Sequence, residues 1–303
     1  ASLPQLFQLL IELAAADSNV TQALRGHFAF VEDRLNAQAF SPQNAWFERF
    51  VAGELVGNAW TEVGDVKIGQ VITRISRQGE QWVANGTKFY STGSLFADWI
   101  DLYAQRDDTG ADVIAAVRVQ QPGVRQSDDW DGFGQRTTGS GTSVFENAVV
   151  EDDHLIDFST RFKYQTAFYQ LTLLAVLVGS GQAAVREVAQ QVRIRARVFS
   201  HGNAAAVRDD AQVQQVVGKA SAQVYTAEAA ALRAAQASQR AYLAHFAKDE
   251  QAEREANIAA ELESAQAQVV IADLVLRATS DLFNALGASA ARTGLQLDRH
   301  WRN

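Results

Sequence analysis

The 303-residue sequence contains no cysteine and no methionine. Without cysteine, the chain cannot form disulfides, bind a metal through thiolates or use a cysteine nucleophile. Without methionine there is no initiator residue, and we expect either that the sequence is trimmed at its ends or that modified methionines are missing from it. Proline is also scarce, with 3 residues in all and none after Arg161. Long uninterrupted helices are therefore permitted in the second half of the chain.

The charge balance is acidic, with 27 Lys and Arg residues against 35 Asp and Glu residues and a formal net charge of −8. A nucleic-acid partner is disfavoured because phosphate binding needs a basic face. A membrane partner is disfavoured because no uninterrupted apolar run approaches the roughly 18 residues that cross a bilayer. The amino terminus also lacks the basic and then apolar pattern of a signal peptide. We therefore expect a cytoplasmic globular protein.

Residues 1–52 have the pattern of a helical domain. Leucines recur at helical spacing over residues 6–13. Two further helices are predicted over residues 22–34 and 45–52, with a proline at position 42 in the break between them. We expect these helices to form the first domain of the chain.

Residues 53–158 change to a β pattern, with frequent glycine and a shorter period. Asn85-Gly86 is the strongest hairpin signal in the chain, because both residues tolerate the positive φ of a tight turn. We therefore predict a small antiparallel domain in which a turn at this pair joins two strands. The predicted strands cover residues 67–75, 81–84, 88–91, 100–105, 113–119 and 142–150.

Residues 159–303 have a helical pattern to the end and are rich in alanine, glutamine, arginine and glutamate. Long helices are predicted over residues 164–200, 211–248 and 252–286. Long antiparallel helices with short connections form up-and-down bundles. The expected fold is therefore α+β and mostly α, with a helical domain, a β domain and a helical bundle in that order.

The segment from Trp82 to Trp99 carries the most unusual chemistry in the sequence. Tyr90, Ser91 and Thr92 follow one another on a predicted strand and precede a glycine. Hydroxyls and backbone amides on a rigid strand suit the polar edge of a flat heterocycle. As a pattern alone, however, the segment is more typical of an ordinary β-hairpin with a polar end.

The same segment, with Asn85-Gly-Thr-Lys-Phe-Tyr-Ser-Thr92, resembles the middle-domain signature of the acyl-CoA dehydrogenase superfamily. Gly57-Asn-Ala-Trp-Thr-Glu62 is similar to a turn of that family, without its usual Gly-Ser-Asp continuation. The resemblance covers the whole chain and implies an antiparallel, β-barrel-like middle domain and a C-terminal four-helix bundle. Two runs are most similar to the flavin-dependent monooxygenase branch of the superfamily: Asp128-Asp-Trp-Asp-Gly-Phe-Gly-Gln-Arg-Thr-Thr-Gly-Ser-Gly-Thr142 and Arg195-Ala-Arg-Val-Phe-Ser-His201. That branch includes the dibenzothiophene monooxygenases and alkyl-sulfone-related enzymes.

The resemblance implies a flavin bound against the middle domain. Thr61 matches the threonine that bonds the pyrimidine edge of the flavin ring in that family. Tyr90 and Thr92 match the aromatic and hydroxyl residues beside the central part of the ring. Further cofactor contacts are implied at the neighbouring residues Asn58, Trp60 and Ser91.

Arg195 or Arg197 matches the arginine that binds the flavin phosphate across a subunit interface in the family, and Phe199 completes the implied cofactor set. A one-residue offset leaves the choice between the two arginines open. A guanidinium group suits this task because it pairs with phosphate in a bidentate manner. By position alone, such an arginine is also typical of a solvated charge near a helix end. A shared site implies an oligomer, and the family habit is a homotetramer or a homodimer.

His27 lies on a predicted helix and is one of 5 histidines. By itself, a histidine there is more typical of a structural or surface residue. In the monooxygenase branch the matching helix supplies an active-site histidine, which would donate a proton or a hydrogen bond to a flavin peroxide because its pKa lies near working pH. Ser91 is the second catalytic candidate that the resemblance implies. No residue pattern indicates a metal site.

The reaction class depends on a carboxylate. An acyl-CoA dehydrogenase needs a glutamate base, either at the start of the first bundle helix or beyond a C-terminal Arg-Asn segment. Residues 164–171 contain no carboxylate, and the second position is expected after Asn303. The resemblance therefore favours a monooxygenase, in which O2 and reduced flavin, favoured as FMNH2 from a separate reductase, form a C4a-hydroperoxide that oxidises a small apolar, organosulfur substrate. The alternatives are an FAD-dependent acyl-CoA dehydrogenase and a non-catalytic homologue that has lost flavin.

Overall fold

The computed structural model describes residues 2–64 and 70–303. Residue contacts divide the chain into two compact units, one formed by Gln22–Gln165 and the other by Ala1–Thr21 together with Thr166–Asn303. Each unit has its own buried apolar core. The three-domain division at residues 52 and 158 stays a prediction beside this grouping.

The amino-terminal region is helical, as the sequence predicts. The first helix starts with a capping box, in which the Gln5 N–H donates to the Ser2 side chain and the Ser2 N–H donates to the Gln5 side chain at 2.9 Å. Its buried face contains Phe7 and Ile11, whereas Leu9 of the predicted leucine stripe is exposed. The helices are α1 (Leu3–Ala16), α2 (Ser18–Ala23), α3 (Arg25–Ala37) and α4 (Asn44–Val51).

The middle of the described chain forms one sheet. Its strands are β1 (Val56–Ala59), β2 (Arg74–Gln78), β3 (Gln81–Lys88), β4 (Trp99–Arg106), β5 (Asp112–Arg118), β6 (Val124–Ser127), β7 (Thr142–Val150) and β8 (Leu155–Asp157). The strand order is β6-β7-β3-β2-β4-β5-β8, and β1 pairs with β4. Strand β4 runs parallel to both β1 and β2, so the sheet is mixed. The prediction of a purely antiparallel domain is wrong on this point. Residues 65–69, which include part of the predicted strand 67–75, lie outside the described residues.

The turn predicted at Asn85-Gly86 is wrong. Both residues lie inside the continuous strand β3, at an irregularity in its pairing with β7. The turn that joins β2 to β3 instead contains Gly79 and Glu80. Position 86 needs glycine for a different reason, since a Cβ there would stand 2.4 Å from Oγ1 of Thr73. Glycine thus marks a bulge and a close approach here, which give the same local sequence signal as a turn.

Helices α3 and α4 pack on the sheet through aromatic side chains. The ring centroids of Phe30 and Trp46 are 4.8 Å apart, and those of Trp46 and Trp99 are 5.2 Å apart. All three rings are buried. Edge-to-face contacts of this kind add to the burial of apolar area. They hold α3, which carries His27, in a set position on the sheet.

Long helices make up most of the unit that contains Thr166–Asn303. They are α5 (Gln165–Ile194), α6 (Ala211–Phe246) and α7 (Glu250–Asp281), followed by the short helices α8 (Phe283–Leu286) and α9 (Arg299–Arg302). Helix α1 packs beside them, with the ring of Phe7 5.3 Å from that of Phe168. Small residues allow this approach, because a Cβ at Gly179 would stand 2.6 Å from Cβ of Ala14. The predicted bundle therefore combines the long C-terminal helices with α1.

Helix α5 is long and apolar enough to cross a membrane by length and composition. However, 67% of its apolar window is buried inside the protein, as in the core helix of a globular unit. This helix is therefore weak evidence for a membrane span, and the absence of a membrane partner stays a prediction.

Candidate active site

His27 on α3 is bonded to the first strand of the sheet. The main-chain N–H of Val56 donates a hydrogen bond of 3.2 Å to Nδ1 of His27. A ring nitrogen that accepts a hydrogen bond carries no proton, so the proton of the neutral ring is on Nε2. The ring also meets Phe50 edge-on at 5.6 Å between centroids. Burial lowers the pKa of His27, and the residue is therefore a neutral donor at Nε2.

Asn58 on β1 connects α3 with the segment that follows β3. Its N–H donates to the carbonyl of Thr92 at 3.3 Å. A Cβ at Gly26, next to His27, would lie 3.0 Å from Oδ1 of Asn58, so the helix packs directly on this side chain. Oδ1 of Asn58 is buried and has no hydrogen-bond partner among the described residues. A buried acceptor left unpaired costs about 1–3 kcal/mol, which indicates a place for a donor from a ligand or water.

Tyr90 and Ser91 leave ordinary strand geometry where β3 ends. Tyr90 has a φ of 54°, a left-handed conformation that is rare for a bulky residue and clusters at functional sites. It is 53% exposed, and its ring meets that of Trp130 edge-on at 5.9 Å. Ser91 is buried, and its Oγ has no partner among the described residues. The segment thus presents one exposed ring and one unpaired hydroxyl.

A chain of hydroxyls supports Thr92 from the loop before β7. Oγ1 of Thr92 lies 2.8 Å from Oγ of Ser140, which lies 2.6 Å from Oγ1 of Thr138. The N–H of Ser91 donates to the carbonyl of Gly141 at 3.0 Å. The hydroxyl of Thr92 is therefore used within the protein, whereas that of Ser91 remains available.

Glycine at position 93 lets α2 approach the same segment. Gly93 has a φ of 78°, and a Cβ there would stand 2.1 Å from the carbonyl oxygen of Ala23. No other residue type fits such a contact without moving the backbone. Together with the Asn58 contacts, this approach brings His27 and Ser91 into one region of the unit Gln22–Gln165.

Trp60 and Thr61 follow β1 directly and differ in how their polar groups are used. The indole N–H of Trp60 donates to Oδ1 of Asp101 at 3.1 Å, and the guanidinium of Arg161 lies 5.1 Å from the ring. Burial raises the pKa of Asp101, and the positive charge of Arg161 opposes that rise. Thr61 is exposed and bonds through its carbonyl, which accepts from the Phe89 N–H at 2.9 Å. Its own N–H and hydroxyl make no hydrogen bond within residues 2–64 and 70–303.

Arg195, Arg197 and Phe199 lie in the loop after α5, because that helix ends at Ile194 and not at the predicted residue 200. The guanidinium of Arg195 lies 4.7 Å from the ring centre of Phe199. It donates to the carbonyls of Arg197 and Leu286 at 3.0 and 3.1 Å. These bonds hold Arg195 in place, whereas Arg197 is exposed.

The same two arginines line an open cavity of about 840 Å³. Arg292, which follows α8, is a third arginine in its wall. Sequence reasoning missed Arg292, since no motif surrounds it and its role depends on a contact across nearly one hundred residues. Three arginine side chains around one cavity have the chemistry that suits an anion.

Glu151, Asp153 and His154 bring ligand-type atoms within 4.8 Å of one another. However, a guanidinium nitrogen of Arg49 lies 3.1 Å from Nε2 of His154. A fixed positive charge at that distance opposes a bound cation, and exposed carboxylates such as these two are common without a metal. This cluster does not support a metal centre, and the absence of a metal stays a prediction.

Known proteins resemble this chain in sequence and in fold. A family model described as acyl-CoA dehydrogenase, C-terminal domain, matches residues 171–303. A dibenzothiophene monooxygenase of Mycolicibacterium goodii is 26% identical over 261 residues, which cover 82% of this chain and 62% of the relative. The probable FMNH2-dependent monooxygenase SfnC of Pseudomonas putida is 24% identical over 312 residues, covering 100% of this chain and 76% of the relative.

Among solved structures, FMN-bound TdsC from Paenibacillus sp. A11-2 matches with a TM-score of 0.86 at 24% identity. The match covers 100% of this chain and 78% of that one. These findings confirm the resemblance inferred from the sequence motifs. Residues 171–303 thus match the acyl-CoA dehydrogenase C-terminal domain model, and the chain is similar in sequence to a dibenzothiophene monooxygenase and to SfnC and in fold to TdsC.

Proposed function

We propose that this protein is a flavin-dependent monooxygenase that uses reduced flavin and O2 to oxidise a small apolar, organosulfur substrate. The observation that carries the proposal is the neutral ring of His27, which is anchored through Nδ1 and keeps a proton on Nε2. The relatives named as monooxygenases support the reaction class. The activity of the whole protein is part of the proposal, because the chain spans 62% of the Mycolicibacterium goodii relative.

The residues of the unit Gln22–Gln165 fit a flavin ring. Oδ1 of Asn58 and Oγ of Ser91 are buried groups without partners among the described residues, and the polar edge of a flavin supplies partners for such groups. Thr61 offers two donors at an exposed strand end, and Tyr90 offers an exposed aromatic face. In this proposal, Thr61 holds the pyrimidine edge and Asn58 with Ser91 holds the central part of the ring.

The arginine cavity of the other unit fits a flavin phosphate. Arg195 is held in place by two carbonyls and by Phe199, so it loses little freedom when it binds an anion. We propose FMN as the bound form, because SfnC is named as FMNH2-dependent and TdsC binds FMN. The proposal also includes a cytoplasmic homotetramer or homodimer, in which another subunit supplies this arginine, and a separate flavin reductase.

The chain's own residues have three tasks in this reaction. His27 holds its proton at Nε2, from where it can donate a hydrogen bond to an oxygen atom that gains negative charge. Ser91 contributes an unpaired buried hydroxyl that orients the reacting oxygen. The rings of Tyr90 and Trp130 provide an apolar wall against which an apolar substrate packs. Bound reduced flavin supplies the electrons that activate O2.

Oxygen transfer tests the proposal directly. The protein is supplied with FMN, a flavin reductase, dibenzothiophene as the probe substrate and isotope-labelled O2. We expect a sulfur-oxidised product that carries the label, as detected by mass spectrometry. An unlabelled or unchanged probe, with no product from other organosulfur compounds, contradicts the proposal. A protein that shows no thermal stabilisation by FMN or FAD is a homologue without flavin, since a ligand of the native state must raise its stability.

A second candidate is an FAD-dependent acyl-CoA dehydrogenase, and one observation favours it. The start of α5 contains no carboxylate of its own, but Oε1 of Glu261 on α7 accepts the Ala167 N–H there at 3.1 Å. Burial raises the pKa of Glu261, as is usual for a carboxylate that acts as a base. Anaerobic bleaching of bound flavin by an acyl-CoA, lost in Glu261→Gln, supports this candidate against the monooxygenase.

A further inference from the structure

A buried ion pair lies beneath the segment that carries Thr61. Nζ of Lys88, at the end of β3, lies 2.7 Å from Oε1 of Glu62. The side chains are 0% and 6% exposed, respectively. Nζ of Lys88 also donates to the carbonyl of Trp60 at 3.2 Å. One ammonium group therefore bonds the residue before Thr61 and the residue after it.

Glu62 extends this arrangement to the start of the next strand. Its Oε1 accepts from the N–H and Oγ1 of Thr73 at 2.8 and 2.6 Å, and its Oε2 accepts from the Ile72 N–H at 2.9 Å. Although burial opposes ionisation, the bonds from Lys88, Thr73 and Ile72 lower the pKa of Glu62 to about 2. A buried ion pair adds little net stability, because the loss of hydration offsets the attraction. The pair therefore specifies a geometry more than it stabilises the fold.

Thr61 is the residue whose geometry is specified. Its neighbours are fixed on both sides, since Trp60 is bonded by Lys88 and Asp101 and Glu62 by Lys88 and Thr73. The carbonyl of Thr61 is fixed as well, by the Phe89 N–H. Of the polar groups of Thr61 itself, the N–H and the hydroxyl make no hydrogen bond with the described part of the chain. These two donors are thus held in place before any ligand arrives, which reduces the entropy lost on binding.

We propose that Lys88 is a positioning residue for flavin, which fixes the Trp60 carbonyl and the Glu62 carboxylate so that Thr61 presents its donors to the pyrimidine edge. The inference rests on the proposed function for the place of the flavin. Lys88 acts through Thr61, because its ammonium group is fully buried and bonded to Glu62 and Trp60. An equivalent side chain without charge would leave this segment free to take other conformations.

A double-mutant cycle on FMN binding tests this role without any turnover. The protein is freed of flavin, and FMN affinity is measured by fluorescence titration for Thr61→Val, Lys88→Met and the combination. We expect each single change to weaken affinity about tenfold, the size of one hydrogen bond. The combined variant should bind FMN with the affinity of Lys88→Met alone, within about twofold, because Lys88 acts only through Thr61. Arg125→Met breaks an exposed pair with Glu146 on the same sheet and should leave affinity unchanged.

Folding is controlled with a variant that removes the unpaired charge. Lys88→Met leaves Glu62 buried alone, so Lys88→Met/Glu62→Gln is measured beside it by circular dichroism and Tm. We expect the double variant to regain Tm while FMN affinity stays weak. Three outcomes overturn the positioning role. The first is wild-type FMN affinity in either variant, and the second is a loss of affinity in the Thr61→Val/Lys88→Met combination that equals the product of the two single losses. The third is failure of both Lys88 variants to fold. A wild-type protein that binds neither FMN nor FAD overturns the proposed function and this inference with it.

Discussion

The hydrogen bond from the Val56 N–H to Nδ1 of His27 decides which nitrogen of that ring carries the proton. At 3.2 Å it makes Nδ1 an acceptor, so the neutral ring is protonated at Nε2. Burial lowers the pKa of His27 below its ordinary value of 6.5, so the ring is neutral at neutral pH. A fixed tautomer on a helix that is packed by aromatic rings is suited to donation in one direction.

Two substitutions test separately the roles of the two ring nitrogens of His27, Nδ1 as the acceptor and Nε2 as the donor. His27→Asn keeps an acceptor near the Nδ1 position and loses the donor at Nε2, whereas His27→Gln keeps a donor near Nε2. We expect both to fold and to bind FMN, with oxygenation lowered about 100-fold in His27→Asn, the usual loss when one hydrogen-bond donor to a developing negative charge is removed. His27→Gln should retain more activity. Equal loss in both variants, measured as product per reduced flavin, contradicts donation from Nε2.

Glu62 predicts a specific loss of stability in acid. Its carboxylate faces Lys88, and the ring of Tyr103 lies 5.7 Å from the Lys88 ammonium. Its folded pKa of about 2 lies below the ordinary glutamate value of 4.5, so the unfolded chain takes up the proton first as pH falls. The stabilisation is therefore complete above pH 4.5 and lost as pH falls through about 2.

Urea unfolding across pH measures this contribution. We expect the free-energy difference between the wild type and Glu62→Gln to change by roughly 3 kcal/mol between neutral pH and pH 2. Glu146→Gln is the matched control, because its carboxylate lies in an exposed pair with Arg125 that solvent screens, and it should give a much flatter difference. A difference for Glu62→Gln that does not vary with pH would falsify the assigned pKa.

The arginine cavity predicts that its arginines affect flavin affinity only when the flavin carries a phosphate. Arg195→Ala should weaken FMN binding by about 10- to 100-fold, the usual value of a hydrogen bond to a charged group. Riboflavin, which lacks the phosphate, should bind the variant and the wild type equally. Arg197→Ala under the same titration decides between the two arginines. Arg193→Ala, two residues before Arg195 and outside the cavity lining, should change neither affinity. Equal losses for FMN and riboflavin contradict a phosphate site.

Two glycines predict opposite effects on stability. A Cβ at Gly86 meets Oγ1 of Thr73 at 2.4 Å, so Gly86→Ala should lower the free energy of unfolding by about 1–3 kcal/mol through overpacking. A Cβ at Gly218 on α6 meets nothing within 4 Å. Gly218→Ala should raise the free energy by about 1 kcal/mol, because alanine favours the helix. Chemical denaturation measures both, and the same sign in both variants contradicts this account.

Local patterns predicted much of the secondary structure. Strand β7 and the start of α6 lie where the period of apolar residues places them, because side-chain periodicity is a property of a short segment. Asn85-Gly86 misled for the same reason. A glycine in a bulge and a glycine in a turn look alike along the chain, and only the approach of Thr73 distinguishes them.

The resemblance to a family identified candidate site residues but not how they are held. It named His27 and Thr61 from matching motifs, whereas the tautomer of His27 depends on Val56 and the presentation of Thr61 depends on Lys88. Arg292 was missed because it reaches the cavity from far along the chain. Contacts of this kind have no local signal, since they are made between segments that only the fold brings together.

The sequence by itself determined the order of helical, β and helical segments, the absence of cysteine from these 303 residues and the resemblance to flavin-dependent monooxygenases. These properties follow from composition, period and motif, each of which can be read within a short window. Tertiary structure decided that the sheet is mixed, that Ser91 and Asn58 are left with unpaired polar atoms, and that Lys88 lies beneath Thr61. The physical reason is that burial and hydrogen bonding depend on which distant groups meet when the chain is packed.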